Sequence, residues 1–142
     1  WEEVQWNENC TGYRLPTEAE WEFAAKSGER WPYSGGPIFD RYAIFQENSK
    51  NQPQTIKSLL PNSWGLYDMS GNVAEWIWDY HADYPSAAQT DYTGPLSGEY
   101  KIIRGGSWEG NTRYVRVMYR GKTLPSSKSD NLGFRVVRSI IR

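Results

Sequence analysis

Cysteine and histidine, the residues that most often bind transition metals, are almost absent from this chain. Its 142 residues include one Cys, Cys10, and one His, His81. A single thiol excludes an internal disulfide, and one Cys with one His cannot complete any of the usual zinc sites. Functional chemistry must therefore be sought among oxygen-bearing, aromatic and basic side chains.

The segment 108–128 has the composition of a binding surface. It combines Trp, Tyr, Asn, Arg and Lys at high density, and aromatic residues and arginine are enriched where proteins bind partners. Basic and apolar residues alternate over 113–120, which predicts a half-buried strand. We expect one face of this strand, with Val115 and Val117, to lie in the core and the other face to be available to a ligand. A shift of one residue would exchange the two faces.

Charge is unequally distributed along the chain, although the formal net charge is only -1. Residues 1–100 carry 6 Lys and Arg against 15 Asp and Glu, and residues 101–142 carry 10 against 2. Either the two halves neutralise each other, or the basic tail binds an anionic partner. We favour neutralisation and do not expect nucleic acid as the partner, because nucleic-acid-binding domains are usually basic overall. The tail still leaves room for an anionic glycan or peptide.

The elements that position these residues are predicted to form an α+β fold with short strands and long irregular loops. Thr17 and Glu20 have the spacing of a capping box, which predicts a helix over about 18–27. On this helix Glu18 and Glu22 are expected to face water. Strands are predicted at 64–69, 73–80, 101–104 and 133–138.

The length of the chain, 142 residues, is typical of one domain, and we expect residues 1–142 to form a single one. No apolar run approaches the length of about 18 residues that a membrane-spanning helix needs, and no signal peptide is visible. Because the sequence starts at Trp1 and not at Met, we expect that an upstream segment is missing.

Four strings taken together resemble the formylglycine-generating enzyme family. They are GYRLPTEAEWEFAAK at 12–26, NSWGLYDMSGNVAEW at 62–76, RGGSW at 104–108 and NLGFRVVRS at 131–139. They stand in the family's order and at compatible spacing, so that the resemblance spans about residues 12–139. It implies a variant of the C-type lectin fold.

The resemblance does not extend to the family's oxidase chemistry. Its catalytic members bind copper through two cysteines, at positions that correspond to Gly110 and Val115. Neither residue offers the soft sulfur that Cu(I) prefers. Cys10 lies upstream of the first motif, and His81 alone cannot replace the histidine cluster of other oxygen-activating relatives. We therefore expect no enzyme activity, no catalytic residues and no bound copper.

The resemblance also implies a structural calcium ion in the turn at 68–75. Family members bind it through side chains that correspond to Asp68 and Glu75 and through main-chain oxygens that correspond to Gly71 and Val73. Oxygen ligands suit calcium, and a glycine lets carbonyl groups point inward. On spacing alone, the alternative is that Asp68 caps a turn and Glu75 is solvated.

The family is similar, in turn, to the variable proteins of diversity-generating retroelements, which display hypervariable residues between the RGGSW and GFRVVRS strings. Their mutagenesis acts on adenines, so that Asn codons become codons for several other residues. Val115 and Gly121 are reachable by this route, whereas Glu109 and Met118 are not, so at most part of 109–132 is variable. The ligand-binding residues predicted from this resemblance are Asn111, Thr112, Tyr114, Tyr119, Thr123 and Leu124.

Three functions remain open. The one we prefer is a non-catalytic module that binds a protein, peptide or glycan and displays variable residues in 109–132. The second is a catalytically degenerate or accessory member that binds peptide substrates without converting them. The third is a subunit or domain of an oxygen-dependent enzyme whose metal ligands lie elsewhere.

Overall fold

A four-stranded sheet is the largest element of the computed structural model, which describes residues 4–7 and 10–139. Its strands lie in the order β6-β5-β4-β7. The pairs β4/β5 and β5/β6 are antiparallel, whereas β7 runs parallel to β4. The strands are β4 (Ala74–Tyr80), β5 (Lys101–Arg104), β6 (Gly121–Thr123) and β7 (Leu132–Gly133).

Two pairs of two-residue strands complete the sheet structure. The antiparallel pair β1/β8 joins the first and last described strands, and the pair β2/β3 is parallel. Their bounds are β1 (Tyr13–Arg14), β2 (Ala43–Ile44), β3 (Ser70–Gly71) and β8 (Val137–Arg138). Long irregular loops connect these elements, so the predicted α+β fold with short strands is confirmed.

The helix α1 (Glu18–Lys26) begins where the sequence predicted. The amide of Glu20 donates to Thr17 Oγ1 (3.2 Å), and the amide of Thr17 donates to Glu20 Oε2 (2.8 Å). This is the predicted capping box. A carboxylate from the sheet also caps the helix, since Asp79 Oδ2 accepts from the amide of Glu18 (2.9 Å). The helix is nine residues long and amphipathic, and no helix in the described ranges could cross a bilayer.

Two apolar clusters form the core. The larger one lies between α1 and the sheet and contains Trp21, Ala25, Met69, Ile77, Ile102 and Val117. The smaller one contains Ala43 of β2 and the loop residues Phe45 and Val115, against which Tyr33 and Phe39 pack. Both clusters include a valine from the segment 113–120, which therefore contributes to the interior as well as to the surface.

Glu18, predicted to face water, is buried instead. Its carboxylate accepts from Arg120 at 2.7 and 2.8 Å and lies 3.5 Å from Arg104. The Arg104 side chain is fully buried and also donates to Glu22 (2.5 Å) and to the carbonyl of Tyr119 (2.9 Å). The helical periodicity of the sequence distinguishes apolar from polar positions. It does not show that arginines far along the chain will lie beside Glu18 and allow its burial.

Ion pairs between the two halves of the chain neutralise part of the charge of the tail, in the direction that we favoured. Arg104, Arg120 and Arg135, from the basic part, bind carboxylates from the acidic part. Arg135 forms a bidentate pair with Glu75, because its Nε and Nη2 each donate to one carboxylate oxygen, both at 2.6 Å. Three of the ten basic residues of the tail are therefore paired within the described part of the fold.

The strand predicted at 64–69 is a loop instead. Asn62 holds this loop in place. Its side-chain Oδ1 accepts from the backbone amides of Trp64 and Leu66 (both 3.1 Å), and its backbone amide donates to the Leu66 carbonyl (2.9 Å). A side-chain amide that bonds nearby backbone groups competes with strand pairing. The run predicted at 133–138 is also interrupted, since only its ends belong to β7 and β8.

The buried cap Asp79 predicts a pH-dependent contribution to stability. Burial raises the pKa of Asp79 from 3.8 to about 6; the hydrogen bond from the Glu18 amide opposes the rise, the charge of the Glu18 carboxylate adds to it, and Lys101 opposes it. Because the folded-state pKa lies above the unfolded one, the stabilisation is present at low pH and is lost as pH rises through 6. Asp79→Asn keeps an oxygen acceptor but cannot ionise. We expect its free energy of unfolding, relative to wild type, to increase by up to about 3 kcal/mol between about pH 4 and pH 7.

Urea unfolding across this pH range measures the difference. Asp83→Asn is the matched control, because Asp83 is an exposed carboxylate in the same region of the chain. Parallel pH profiles for wild type and Asp79→Asn would contradict the assignment.

Candidate ligand-binding surface

Residues 109–120 form successive turns and not the predicted strand. The amide of Tyr114 donates to the Asn111 carbonyl and that of Tyr119 to the Arg116 carbonyl, both at 3.0 Å. The strand prediction was wrong because the alternation of basic and apolar residues was taken as a sign of extended backbone. The backbone amides of Tyr114 and Tyr119 instead bond within short turns. The expected division between core and surface nevertheless holds along the segment.

Buried valines and two backbone hydrogen bonds fix the segment to the rest of the fold. Val115 and Val117 are 0% and 1% exposed. The amide of Val117 donates to the carbonyl of Pro32 (2.8 Å), and the carbonyl of Gly110 accepts from the amide of Gln46 (2.9 Å). Loops from the first half of the chain therefore form the base on which the segment lies.

A glycine allows the segment to fold back over the end of β5. Gly106 has a φ of +68°, and a Cβ at this position would lie 2.4 Å from the carbonyl oxygen of Tyr114. No side chain is compatible with that distance, and L-residues rarely adopt this φ. Gly106 of the RGGSW string is therefore required for the path of the backbone between β5 and the residues of the segment.

The six predicted ligand-binding residues all reach the surface, to different degrees. Asn111, Tyr114 and Leu124 are exposed, and Thr112, Tyr119 and Thr123 are half-buried. The rings of Tyr114 and Tyr119 pack edge to face with centroids 5.0 Å apart. They form an aromatic pair at the centre of the turn segment.

Asn111 and Thr123 have local hydrogen bonds that hold their side chains. Asn111 Oδ1 accepts from the amide of Arg113 (3.0 Å), and the hydroxyls of Thr123 and Ser127 are 2.7 Å apart. Thr123 ends β6, and Leu124 follows it, so these two residues lie on the edge of the sheet. No hydrogen bond or ring contact joins them to the tyrosine pair.

The exposed part of the segment keeps a positive charge. Arg113 and Arg116 are exposed and form no ion pair with any residue in the described ranges. Glu109, the one acidic residue of the segment 109–124, accepts a hydrogen bond from Asn131 (2.6 Å). Unpaired guanidinium groups of this kind attract negatively charged groups.

Sequence reasoning did not place Met118 among the site residues. Its side chain is 71% exposed and lines an apolar cavity of about 450 Å³ together with Phe23 and Tyr84. Adenine mutagenesis cannot produce methionine from an Asn codon, so the argument that selected the other residues excluded it. The feature of the sequence that could have identified Met118 is its place in the alternating segment, between the buried Val117 and the half-buried Tyr119.

The positions that correspond to the copper ligands of the family lie inside the segment. Gly110 has no side chain, and Val115 is fully buried. Cys10 is exposed near the start of the chain, and the pKa of His81 is lowered by burial and by the nearby Arg120. The described residues contain no cluster of three or more His, Cys, Asp or Glu that could hold a metal ion.

Glu75, one of the expected calcium ligands, is buried and not solvated. Arg135 donates to both of its oxygens, and the indole of Trp21 donates to Oε2, all at 2.6 Å. The Arg135 guanidinium also donates to the carbonyls of Tyr67 (3.1 Å) and Asp68 (3.4 Å). Arg135 is therefore the cation that faces Glu75 in this structure.

The other expected ligands fit calcium only in part. Asp68 has a φ of +56°, and its Oδ2 accepts from the amide of Lys57 (2.9 Å), so that it caps a turn. Asp68 and Val73 line a cavity of about 330 Å³ together with Glu75. Gly71 packs elsewhere, since a Cβ there would lie 1.7 Å from the carbonyl oxygen of Ile44. A calcium ion here would have to share Glu75 with Arg135.

Comparisons with known proteins agree with this architecture. The Treponema denticola variable protein 1 is 42% identical, with a TM-score of 0.91, and the match covers 96% of this chain and 51% of that one. The formylglycine-generating enzyme of Streptomyces coelicolor is 35% identical over 93% of this chain and 50% of its own length. PvdO from Pseudomonas aeruginosa is 30% identical, with a TM-score of 0.78, over 90% of this chain and 53% of its own.

The chain thus spans about half the length of each of these relatives. The sequence profile of the sulfatase-modifying factor enzyme 1-like domain matches residues 1–140. The protein therefore belongs to the formylglycine-generating enzyme, or sulfatase-modifying factor, domain family.

Proposed function

We propose that this chain is a non-catalytic ligand-binding module that displays the side chains of 109–132 from a formylglycine-generating-enzyme-type scaffold. One observation carries the proposal: the backbone of the displayed segment is fixed by buried valines and a required glycine, while the side chains between them face outward. The similarity to a variable protein over 96% of this chain gives further support.

The displayed residues favour a protein, peptide or glycan ligand with negative charge. The edge-to-face pair Tyr114 and Tyr119 offers aromatic surface with two hydroxyls. Arg113 and Arg116 offer guanidinium groups that bind carboxylate, sulfate or phosphate. Asn111 lies beside them and supplies an amide. A ligand that contacts an aromatic pair and an arginine buries the kinds of residue that dominate binding energy.

A second candidate function is peptide binding by a non-catalytic relative of the enzymes. The observation that favours it is the apolar cavity of about 450 Å³ beside Met118, which has room for a peptide side chain. The two functions place the ligand differently, because this cavity is lined by Met118 and by none of the six predicted ligand-binding residues.

We also propose a calcium ion at Asp68, Gly71, Val73 and Glu75, following the resemblance to the family. Asp68, Val73 and Glu75 share one cavity, and carboxylate and main-chain oxygens are the ligands that calcium takes. The ion would stabilise the turn that precedes β4 and so fix the register of the central strand.

Deep sequencing of this gene from a population of its source tests variable display without knowledge of the ligand. Substitutions should concentrate at adenine-bearing codons between Trp108 and Gly133. Val115 and Gly121 should stay constant although their codons are reachable, because Val115 is fully buried and a Cβ on Gly121 would lie 2.7 Å from Ile103 Cγ1. An invariant segment would contradict variable display and favour a module of fixed specificity.

Replacement of the aromatic pair tests which residues contact the ligand. Peptide and glycan arrays first identify what the wild type binds. Tyr114→Ala and Tyr119→Ala should then each weaken that binding by more than about tenfold, with unchanged circular dichroism. Trp64→Ala is the control, since Trp64 is an exposed aromatic residue outside the segment. Loss of folding in the two variants, or undiminished binding, would contradict the assignment.

Chelation tests the calcium site. A calcium chelator should lower the Tm of the wild type and have no effect on Asp68→Ala, in which the ion can no longer bind. Added magnesium should not restore the Tm, because Mg²⁺ demands a tighter octahedral geometry. If the chelator has no effect and elemental analysis finds no calcium, Arg135 alone neutralises Glu75.

A further inference from the structure

The cavity beside Met118 adjoins the tyrosine pair of the displayed segment. Met118 precedes Tyr119, whose amide donates to the carbonyl of Arg116 at 3.0 Å, so that these residues belong to one turn. The cavity has a volume of about 450 Å³, which is within the range of ligand pockets. Its other walls come from α1 and from the loop after β4, which supply Phe23, Tyr84 and Tyr92. This space is here called the Met118 cavity.

Exposed apolar and aromatic side chains line the Met118 cavity. Phe23, Tyr84 and Met118 are 67%, 60% and 71% exposed, and all three border the same space. An isolated exposed apolar residue is ordinary on a protein surface, but a contiguous set around a concave space marks an interaction site. The thioether of Met118 is flexible and polarisable, and it adapts to groups of different shape. The Met118 cavity is therefore suited to an apolar side chain of a ligand.

The carboxylates that line the Met118 cavity are already engaged within the fold. Arg120 binds Glu18 at 2.7 Å, and Lys26 binds Glu22 at 2.6 Å. Asp79 accepts the hydrogen bond from the backbone amide of Glu18. These contacts offset the negative charge that would attract a cation, and they occupy oxygens that would bind the hydroxyls of a sugar. An apolar guest therefore gains more from the cavity than a cation or a sugar does.

The charge around the Met118 cavity differs between the turn and the loop. Arg116, in the turn that bears Met118, is exposed and has no ion-pair partner among the residues that the structure describes. The loop 81–99, which supplies the two tyrosines of the cavity, carries exposed carboxylates at Asp83 and Asp91. A negative group next to the apolar guest is therefore attracted to the turn and repelled by the loop.

We propose that the ligands of this surface are acidic polypeptide segments that place one large apolar side chain in the Met118 cavity and a nearby carboxylate on Arg116. Charge complementarity selects this class, because the only unengaged charge at the turn is positive. Arg116 and Met118 are two positions apart in one turn, so that neighbouring residues of a peptide can reach both. The inference rests on the proposed function and narrows its ligand from protein, peptide or glycan to an acidic polypeptide.

Under variable display, the Met118 cavity is the constant part of the site. Adenine mutagenesis of an Asn codon does not yield methionine, and Phe23 and Tyr84 lie outside 109–132. The cavity would then bind the feature that the ligands share, while the adjoining tyrosine pair distinguishes between them.

Arrayed octapeptides of defined composition test the ligand class. The first set contains one Leu, Phe or Met flanked by two Asp or Glu in a background of Ser and Gly. Three matched sets replace the apolar residue with Ala, the acidic residues with Asn or Gln, or the acidic residues with Lys. We expect the first set to bind the wild type at least about tenfold more tightly than each of the others, because only the first set supplies both groups.

Two substitutions connect this preference to the cavity and to its charged neighbour. Met118→Glu and Arg116→Ala should each weaken binding of the first set by more than about tenfold, with unchanged circular dichroism because both positions are exposed. Phe23→Ser, on another wall of the cavity, serves in place of Met118→Glu if that variant does not fold. Ile38→Glu and Arg138→Ala are the matched controls, since both residues are exposed and outside the cavity, and they should bind like the wild type.

The remaining outcomes separate this proposal from the proposed function. Equal binding of the first and the Ala sets, tightest binding of the Lys set, or peptide binding that neither substitution weakens would overturn the proposal. Glycan binding that depends on Tyr114 and Tyr119, without peptide binding, would also overturn it but would leave the ligand-binding surface in place. If neither the peptides nor a glycan array binds, the proposed function is contradicted as well.

Discussion

The buried guanidinium of Arg104 holds together the helix, the sheet and the displayed segment. It is fully buried, and an unpaired charge in such a place would cost several kcal/mol, roughly the whole stability of a small domain. Its contacts with Glu22 and Glu18 fix α1 against β5, and its bond to the carbonyl of Tyr119 fixes the end of the turn segment. Arg120 adds a second guanidinium to Glu18. One network of charges therefore sets the geometry of both the scaffold and the surface it presents.

This arrangement separates the residues that maintain the fold from those that are free to differ. Val115 and Val117 and the positive φ of Gly106 determine the path of the backbone. Side chains such as Tyr114 and Arg116 extend from that path into solvent and contribute little to the core. Under the proposed function, such a surface can change its ligand by substitution without a change of fold, because the energy of folding and the energy of binding reside in different side chains.

Local patterns in the sequence predicted the elements whose determinants are local. The capping box at Thr17 located α1, and the β-branched run at 101–104 located β5. Interactions between distant residues were not predictable in this way. The burial of Glu18 depends on arginines from the second half of the chain, and Asn62 closes a loop where a strand was predicted. The six predicted site residues reach the surface, but the cavity lined by Trp76 and Trp78 was not predicted, because the three alternating aromatics of 76–80 were taken only as a strand pattern.

The most direct test of the account is a library in which Asn111, Thr112, Tyr114, Tyr119, Thr123 and Leu124 are randomised together. The measurement is the fraction of members that resist protease when displayed on a cell surface, compared with a library randomised at the buried positions 115, 117 and 121. We predict that most members of the first library fold and that most of the second do not, because only the second disrupts the core and the path of the backbone. Equal loss of folded protein in the two libraries would show that the displayed side chains maintain the fold, and it would contradict the central claim.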